Sequence, residues 1–207
     1  MLSVSSAVIE DIRALQKPEA SPASLAFFYC DFREDQKRNS RGLLSSLLVQ
    51  LGEQSDAYLT KLSDFYRANG GGSQHPSDNK LLDYLKDMLK LPGQATVYII
   101  IDALDECPTT TGSPHPREKV LNVVKELVDL NIPNLRIFVT SRPEADIERI
   151  VGPLAFRCVS LEDESGQVED IAKYVENFVN TDREMRKWKD ADKRLVINVL
   201  SNKANGM

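Results

Sequence analysis

The segment that decides the fold is 97-VYIIIDALDEC-107, in which an apolar run ends in three carboxylates within five positions. The run is continuous and rich in β-branched residues, as is typical of an interior strand buried on both faces of a parallel sheet. Asp102, Asp105 and Glu106 follow at its carboxyl end. Ligands of open parallel sheets bind in the crevice beyond the carboxyl ends of the strands. The segment therefore predicts a buried strand that carries acidic side chains to a binding crevice.

A second segment, 135-LRIFVTSRPE-144, has the same form. A strand predicted at 135–141 ends in Thr140 and Ser141, and Arg142 follows directly. The carboxyl ends of neighbouring parallel strands meet at one edge of the sheet. We therefore expect the three acids of the first segment and Arg142 to lie close together.

The rest of the chain alternates between strand and helix patterns, which predicts an α/β fold with a parallel sheet. The glycine-rich stretch at 69–79 is predicted to be a flexible linker. Strands are predicted at 24–32, 95–102, 135–141 and 155–161. Helices are predicted at 3–16, 40–52, 55–68, 81–91, 117–130, 144–151, 166–180 and 190–203.

The composition is that of an ordinary globular protein, with 42% hydrophobic and 28% charged residues in a chain of 207. A net charge of −5 argues against nucleic-acid binding, which usually comes with a basic face. No apolar run approaches the roughly 20 residues of a membrane helix, and the N-terminus lacks the pattern of a signal peptide. The three dispersed cysteines are expected to be reduced, buried or half-buried thiols of a cytoplasmic protein.

These residue types at two strand ends suit a phosphate site. An aspartate there can hold Mg²⁺ through water, because Mg²⁺ keeps several waters and needs few carboxylates. A second carboxylate can polarise a water for attack on a phosphoryl group, and an arginine fork matches phosphate geometry. The residues alone leave two other interpretations open. The acids form a purely structural turn, or they belong to a metal-dependent hydrolase such as a nuclease, for which one turn supplies few carboxylates.

Taken together, the motifs resemble the NACHT module of the STAND class of P-loop NTPases, in its fungal and nephrocystin-type forms. VYIIIDALDEC resembles the extended Walker B motif of that family, and TSRP at 140–143 resembles its sensor 1 motif. LAFFYCDFREDQKRNS at 25–40 is similar to the second strand and its turn, and RGLLSSLLVQL at 41–51 to the next helix. VLSNKANGM at 199–207 resembles the opening of the helical region that follows the NTPase core.

The resemblance implies a three-layer, P-loop NTPase-like parallel sheet over residues 1–163, followed by the start of a helical region at 164–207. It also implies a departure from the family. Nowhere does this chain contain the GxxxxGK[ST] motif that cradles phosphates. Aligned on SSAVIE, Met1 falls where the phosphate-binding lysine is expected and Leu2 where Ser or Thr is expected. We therefore expect an N-terminally truncated core that lacks its first strand and P-loop.

Carried over by position, the resemblance gives each candidate residue a role. Asp102 matches the Mg²⁺-associated acid, acting through water, and Asp105 and Glu106 match the acidic pair, with Glu106 preferred for polarising a water. Arg142 matches the sensor arginine, in both catalysis and nucleotide binding, and Ser141 is a nucleotide contact. Thr140 is expected only to shape the strand end. The implied cofactors are Mg²⁺ and ATP or GTP, bound weakly or not at all by this chain.

Two functions follow from this interpretation. The first is a nucleotide-dependent signalling switch, similar to those of innate immunity, in which an upstream P-loop completes the nucleoside triphosphate site. Its expected partners are C-terminal repeat domains of a longer protein and further copies of itself. The alternative is a P-loop-less, non-catalytic scaffold for protein interactions, in which the acidic turn is an inherited remnant. The sequence leaves open whether the chain hydrolyses nucleotides.

Overall fold

Three parallel strands form the central sheet, in the order in which they occur along the chain. The computed structural model describes residues 4–15, 23–110, 112, 114–160 and 165–203. The strands are β1 (Ala23–Tyr29), β2 (Thr96–Asp102) and β3 (Leu135–Val139). The helices are α1 (Val4–Leu15), α2 (Ser40–Gly52), α3 (Asp56–Ala68), α4 (Asp78–Leu89), α5 (Pro116–Val128), α6 (Ala145–Val151), α7 (Ser165–Thr181) and α8 (Asp190–Lys203). The parallel α/β sheet predicted from the sequence is confirmed.

The chain divides into two compact units, residues 1–155 and residues 156–207. The first unit contains the sheet and α1 to α6, and the second contains α7 and α8. The domain boundary predicted between residues 163 and 164 falls within 161–164, which lie outside the described residues. That boundary stays a prediction.

Helices cover both faces of the sheet. On one face, α1 packs its Ile9 and Ile12 against Leu25 of β1 and Ile100 of β2. The opposite face, with Ile99 and other side chains of the sheet, packs against a larger core. The buried helical residues of that core come from α2 to α6 and are Leu43, Leu44, Leu47, Leu48, Leu51, Tyr58, Leu81, Leu82, Leu85, Met88, Leu89, Val120, Leu121, Val123, Val124, Leu127 and Ile147. This is the predicted three-layer arrangement.

The outer edge of β1 is closed by side chains. Gln50 of α2 donates from Nε2 to the carbonyl of Phe27 at 2.8 Å, and its Oε1 accepts from the amide of the same residue at 3.0 Å. Gln54, just beyond α2, makes the same pair of hydrogen bonds with Leu25, at 2.6 and 2.8 Å. Two side-chain amides thus take the place of a neighbouring strand. An edge occupied in this way is protected against pairing with another chain.

Local hydrogen bonds determine where the helices around the glycine-rich stretch begin. The helix predicted at 81–91 begins earlier, at Asp78, because the hydroxyl of Ser77 accepts a hydrogen bond from the amide of Lys80. The stretch predicted as a flexible linker contains a short 3-10 turn at Gly70–Gly72. The glycine-rich composition of residues 69–79 predicts a break between helices. The effect of one capping hydroxyl, that of Ser77, cannot be read from composition.

The strand predicted at 155–161 is wrong for the residues that the structure describes. Residues 155–160 form no strand, and residue 161 lies outside the described residues. None of the described strands pairs with the outer edge of β3, and Phe156 and Val159 are exposed. A β-rich pattern specifies a strand only where neighbours supply ladder hydrogen bonds and a packing surface. By the resemblance, the first strand of the family core would lie between β3 and this segment, and it is not among the described strands of this sheet.

The second unit is a pair of helices. A 3-10 turn at Met185–Lys187 lies between α7 and α8. Val179 is buried, and the rings of Tyr174 and Phe178 stack with their centroids 6.3 Å apart. The predicted helices at 166–180 and 190–203 are confirmed. Within the described residues, no helix is both long and apolar enough to cross a membrane.

Replacing both edge glutamines (Gln50→Ala with Gln54→Ala) should weaken the fold and expose the backbone of β1. The double variant loses four hydrogen bonds to the strand, each worth about 1 kcal/mol net. We expect urea denaturation to show a loss of about 2–4 kcal/mol in the free energy of unfolding, and light scattering to show self-association. Gln74→Ala, at an exposed loop position, should change neither. An unchanged free energy in the double variant would show that the glutamines do not stabilise the edge.

Candidate functional site

The carboxyl ends of β2 and β3 are joined by Thr140. Its amide donates to the carbonyl of Ile101 at 3.0 Å, and its carbonyl accepts from the amide of Leu104 at 3.0 Å. Its hydroxyl oxygen also accepts from the amide of Ala103 at 3.0 Å. Thr140 therefore fixes the position of the acidic turn relative to β3. Sequence reasoning gave this residue a minor role in shaping the strand end, and the structure shows how it does so.

Two hydroxyls hold the carboxylate of Asp102 in place. Thr140 donates to its Oδ1 at 2.6 Å, and Ser5, buried on α1, donates to the same oxygen. No hydrogen bond from a described residue reaches Oδ2. Sequence reasoning missed Ser5. The available signal was a polar residue in helical register with Ile9 and Ile12, on the stripe of α1 that packs against the sheet.

Ala103 turns the chain sharply after Asp102. Its backbone is left-handed, with φ of 53° and ψ of 51°. A non-glycine residue pays roughly 1–2 kcal/mol for this conformation, so the surrounding contacts must compensate for it. The turn buries Leu104 completely, and it leaves Asp105 and Glu106 partly accessible. Strain at this position thus separates one core residue from two acids at the surface.

Asp105 lies against the segment that follows β3. Its Oδ1 accepts from the amide of Arg142 at 3.1 Å, and its Oδ2 is 3.6 Å from Nε of that residue. The hydroxyl of Ser141 is 3.5 Å from Oδ1. The side chain of Arg142 remains 79% exposed, whereas that of Asp105 is 11% exposed. Of the three acids that the sequence predicted near Arg142, Asp105 is the one that contacts it in the described structure.

Glu106, the third acid of the turn, is partly accessible, and its charge acts on Arg33, which follows β1. The pKa of Arg33 is raised, mainly by its hydrogen bond to Asp31 and to a smaller degree by Glu106. Among the three acids of the turn, Glu106 is the least restrained. Sequence reasoning did not place Arg33 near this site.

A buried arginine lies beneath the acidic turn. Arg117, in the first turn of α5, donates from NH2 to the carbonyl of Asp105 at 2.6 Å and from Nε to that of Cys107 at 2.9 Å. Its NH1 is 3.3 Å from Oδ1 of Asp146 on α6. The sequence offered only a weak signal for this residue, a cation in the opening turn of an amphipathic helix, where acids are the usual choice.

Two buried thiols lie near the acidic turn. The thiols of Cys30 and Cys107 lie close enough to influence each other's pKa. The interaction with Cys107 and then burial raise the pKa of the Cys30 thiol, and the charges of Asp102 and Asp105 add to the shift. Cys30 is therefore an unreactive packing residue. The prediction of buried thiols is confirmed for this pair and is wrong for Cys158, which is exposed.

The arrangement fits Mg²⁺ held through water better than a direct metal cage. Within the described residues, no group of three or more His, Cys, Asp or Glu side chains gathers around one point. Mg²⁺ keeps several waters and needs one or two carboxylates together with phosphate oxygens. Asp102, with one oxygen hydrogen-bonded and the other without a bond from the described residues, meets that requirement.

Removing the side chain of Arg33 should raise the pKa of Asp31 part of the way to its ordinary value, because the backbone amide of residue 33 still donates to the carboxylate. Three hydrogen bonds from Arg33 reach this carboxylate, and its pKa is lowered from 3.8 to about 2, chiefly by the Arg33 side chain. Because the folded-state pKa is depressed, the stabilisation is present above the unfolded-state value and is lost as pH falls through about 2. NMR titration of Arg33→Ala should therefore show the pKa of Asp31 rising towards 3.8. Arg38→Ala, which removes the partner of Asp35, should leave the pKa of Asp31 unchanged.

Comparison with known proteins gives two matches. Residues 3–142 match the family model described as "Nephrocystin 3, N-terminal". Over 96 residues the chain is 30% identical to the vegetative incompatibility protein HET-E-1 of Podospora anserina, and this match covers 45% of the chain and 7% of HET-E-1. The chain thus spans a small part of the length of that relative. No solved structure matches.

The family match includes most of the chain and every site residue from Ser5 to Arg142. It confirms the resemblance inferred from the motifs, to a NACHT-related region of the fungal and nephrocystin type. At the level of the family, the two matches support a STAND-type signalling module. The chain belongs to the nephrocystin 3 N-terminal family.

Proposed function

We propose that this chain supplies the acidic and sensor side of a nucleotide-dependent signalling switch. One observation carries the proposal: the ends of β2 and β3 meet, with Thr140 bonded to Asp102 and Arg142 against Asp105. Family membership supports the same interpretation. Such a switch works by a population shift, in which a bound nucleotide favours one of two conformations.

Each residue of the site has a distinct task in this proposal. Asp102 holds Mg²⁺ through water, and the ion, when bound, neutralises charge on the phosphates of ATP or GTP. Glu106, the least restrained acid, polarises a water, and Asp105 keeps Arg142 in position. The side chain of Arg142 is 79% exposed although that of Asp105 is only 11% exposed, and the carboxylate of Asp105 also accepts from the backbone amide of Arg142. Arg142 can therefore turn its guanidinium to a phosphate while Asp105 keeps that backbone hydrogen bond, with Ser141 beside it.

The lysine and the glycine-rich amide cradle of a phosphate site are not in this sequence, which contains no GK[ST]. In the proposed switch these groups come from a segment joined to this chain. C-terminal repeat domains and further copies of the chain are its proposed partners, and the cytoplasm is its proposed location.

The absence of GK[ST] favours a second candidate function, a non-catalytic interaction scaffold. In that case the acids and Arg142 pair only with one another and with their hydroxyl partners. The two functions differ in whether the acidic turn binds a divalent cation.

Titration of the 207-residue chain with ATP or GTP in the presence of Mg²⁺ should show weak binding or none. The physical reason is the missing lysine and amide cradle, which contribute much of the phosphate affinity. Isothermal titration calorimetry measures this directly. Low-micromolar affinity for either nucleotide would contradict the expectation.

Mn²⁺ titration followed by NMR should locate a cation at Asp102. Mn²⁺ stands in for Mg²⁺, and its unpaired electrons broaden the signals of nearby nuclei. We expect the amides of 103–106 and 140–142 to broaden first, and Asp102→Asn to abolish this selectivity. Asp87→Asn, which removes an exposed acid of α4, should leave the pattern unchanged. Uniform broadening at surface acids, unchanged by Asp102→Asn, would favour the second candidate function, the non-catalytic interaction scaffold.

A further inference from the structure

Arg117 is a charged side chain in a place where charges are rarely found. Arg117 is 9% exposed and is the only arginine or lysine among the buried residues of the described chain. Burying an unpaired guanidinium is costly, so its partners must compensate by hydrogen bonding and by charge. The identity of those partners shows what the residue does.

All the partners of the guanidinium belong to two short segments at the site. Asp105 and Cys107 accept from it through their backbone carbonyls, at 2.6 and 2.9 Å. Asp146, at 3.3 Å, and Glu144, at 4.0 Å, lie at the start of α6 and supply the negative charge. The first segment is the acidic turn, and the second begins two residues after Arg142.

The acidic turn depends on these hydrogen bonds. Within it, the amides of Glu106 and Cys107 bond back to the carbonyls of Ala103 and Leu104. The carbonyls of Asp105 and Cys107 accept from no described backbone amide, so the guanidinium satisfies them. A planar fork reaches two carbonyls and a carboxylate at once, which the single ammonium of lysine cannot do.

We propose that Arg117 is the positioning residue of the site, setting the acidic turn and coupling it to the start of α6. This deepens the proposed function and rests on it, because the turn is taken to be the cation and water site. When the guanidinium of Arg142 leaves Asp105 for a phosphate, Asp105 moves. Its carbonyl, which accepts a hydrogen bond from Arg117, moves with it. Asp146, bound to the same guanidinium, transmits that shift to α6.

Arg117→Lys tests the hold on the turn by two measurements. Hydrogen exchange at the amides of Glu106 and Cys107 reports the turn itself, and we expect protection to fall about tenfold, the equivalent of one charge-assisted hydrogen bond. Mn²⁺ broadening around Asp102 reports the site, and we expect severalfold weaker binding. A merely structural arginine would lower the melting temperature and leave the Mn²⁺ affinity unchanged, which would overturn the proposal.

Asp146→Ala provides a second test of the proposal in case Arg117→Lys does not fold. This variant removes the charge partner on α6 and leaves the arginine in place, so exchange at Glu106 and Cys107 should accelerate by a smaller factor. Glu148→Ala is the matched control, because it removes an exposed acid from the first turn of the same helix. If Asp146→Ala behaves like Glu148→Ala, the coupling to α6 is refuted.

The two measurements separate failure of this inference from failure of the proposed function. If the unmodified chain shows no selective Mn²⁺ broadening, the proposed function falls. Faster exchange in Arg117→Lys would then still support the hold of Arg117 on the turn. In the opposite case, Mn²⁺ binds at Asp102 while Arg117→Lys changes neither the hydrogen exchange nor the Mn²⁺ broadening. That result would support the proposed function and refute the role of Arg117.

Discussion

Burial of β2 on both of its faces and along both of its edges is the constraint on which the rest of the structure depends. Val97, Ile99, Ile100 and Ile101 are almost completely excluded from solvent, and each such side chain contributes about 2 kcal/mol through burial. Successive side chains enter different cores, so a slip of one residue would exchange the two faces and is strongly disfavoured. The register that results places Asp102 opposite Tyr29, at the open end of the sheet.

The three acids that follow this strand are restrained by three different kinds of partner. Two hydroxyls hold Asp102, whereas a backbone amide and a nearby guanidinium hold Asp105. Glu106 has only the longer-range influence of Arg33. This graded restraint agrees with the proposed function, in which Asp102 holds a cation and must be fixed, and Glu106 handles a water and must adjust. The left-handed Ala103 makes the grading possible, because it directs Leu104 inward and the next two residues outward.

Sequence reasoning predicted the parallel sheet, the polar residues at two strand ends and a meeting of Arg142 with the acids, which the structure shows for Asp105. Apolar runs and the direction of parallel strands determine all three. Sequence reasoning failed at the segment 155–160, where strand-forming residues alone do not produce a strand. It also missed Ser5 and Arg117, which reach the site from α1 and α5. Their contacts depend on how helices pack across the sheet, which the local patterns of α1 and α5 indicate only weakly.

The glutamines along β1 have a consequence for how this architecture can be enlarged. Gln50 and Gln54 occupy the outward-facing backbone groups of Leu25 and Phe27 on β1. An additional strand therefore cannot form these hydrogen bonds on that side of the sheet. The other edge of the sheet is formed by β3, and no described strand pairs with it there. A strand added to this sheet by protein engineering is therefore expected beside β3, whose carboxyl end leads into Thr140 and Arg142.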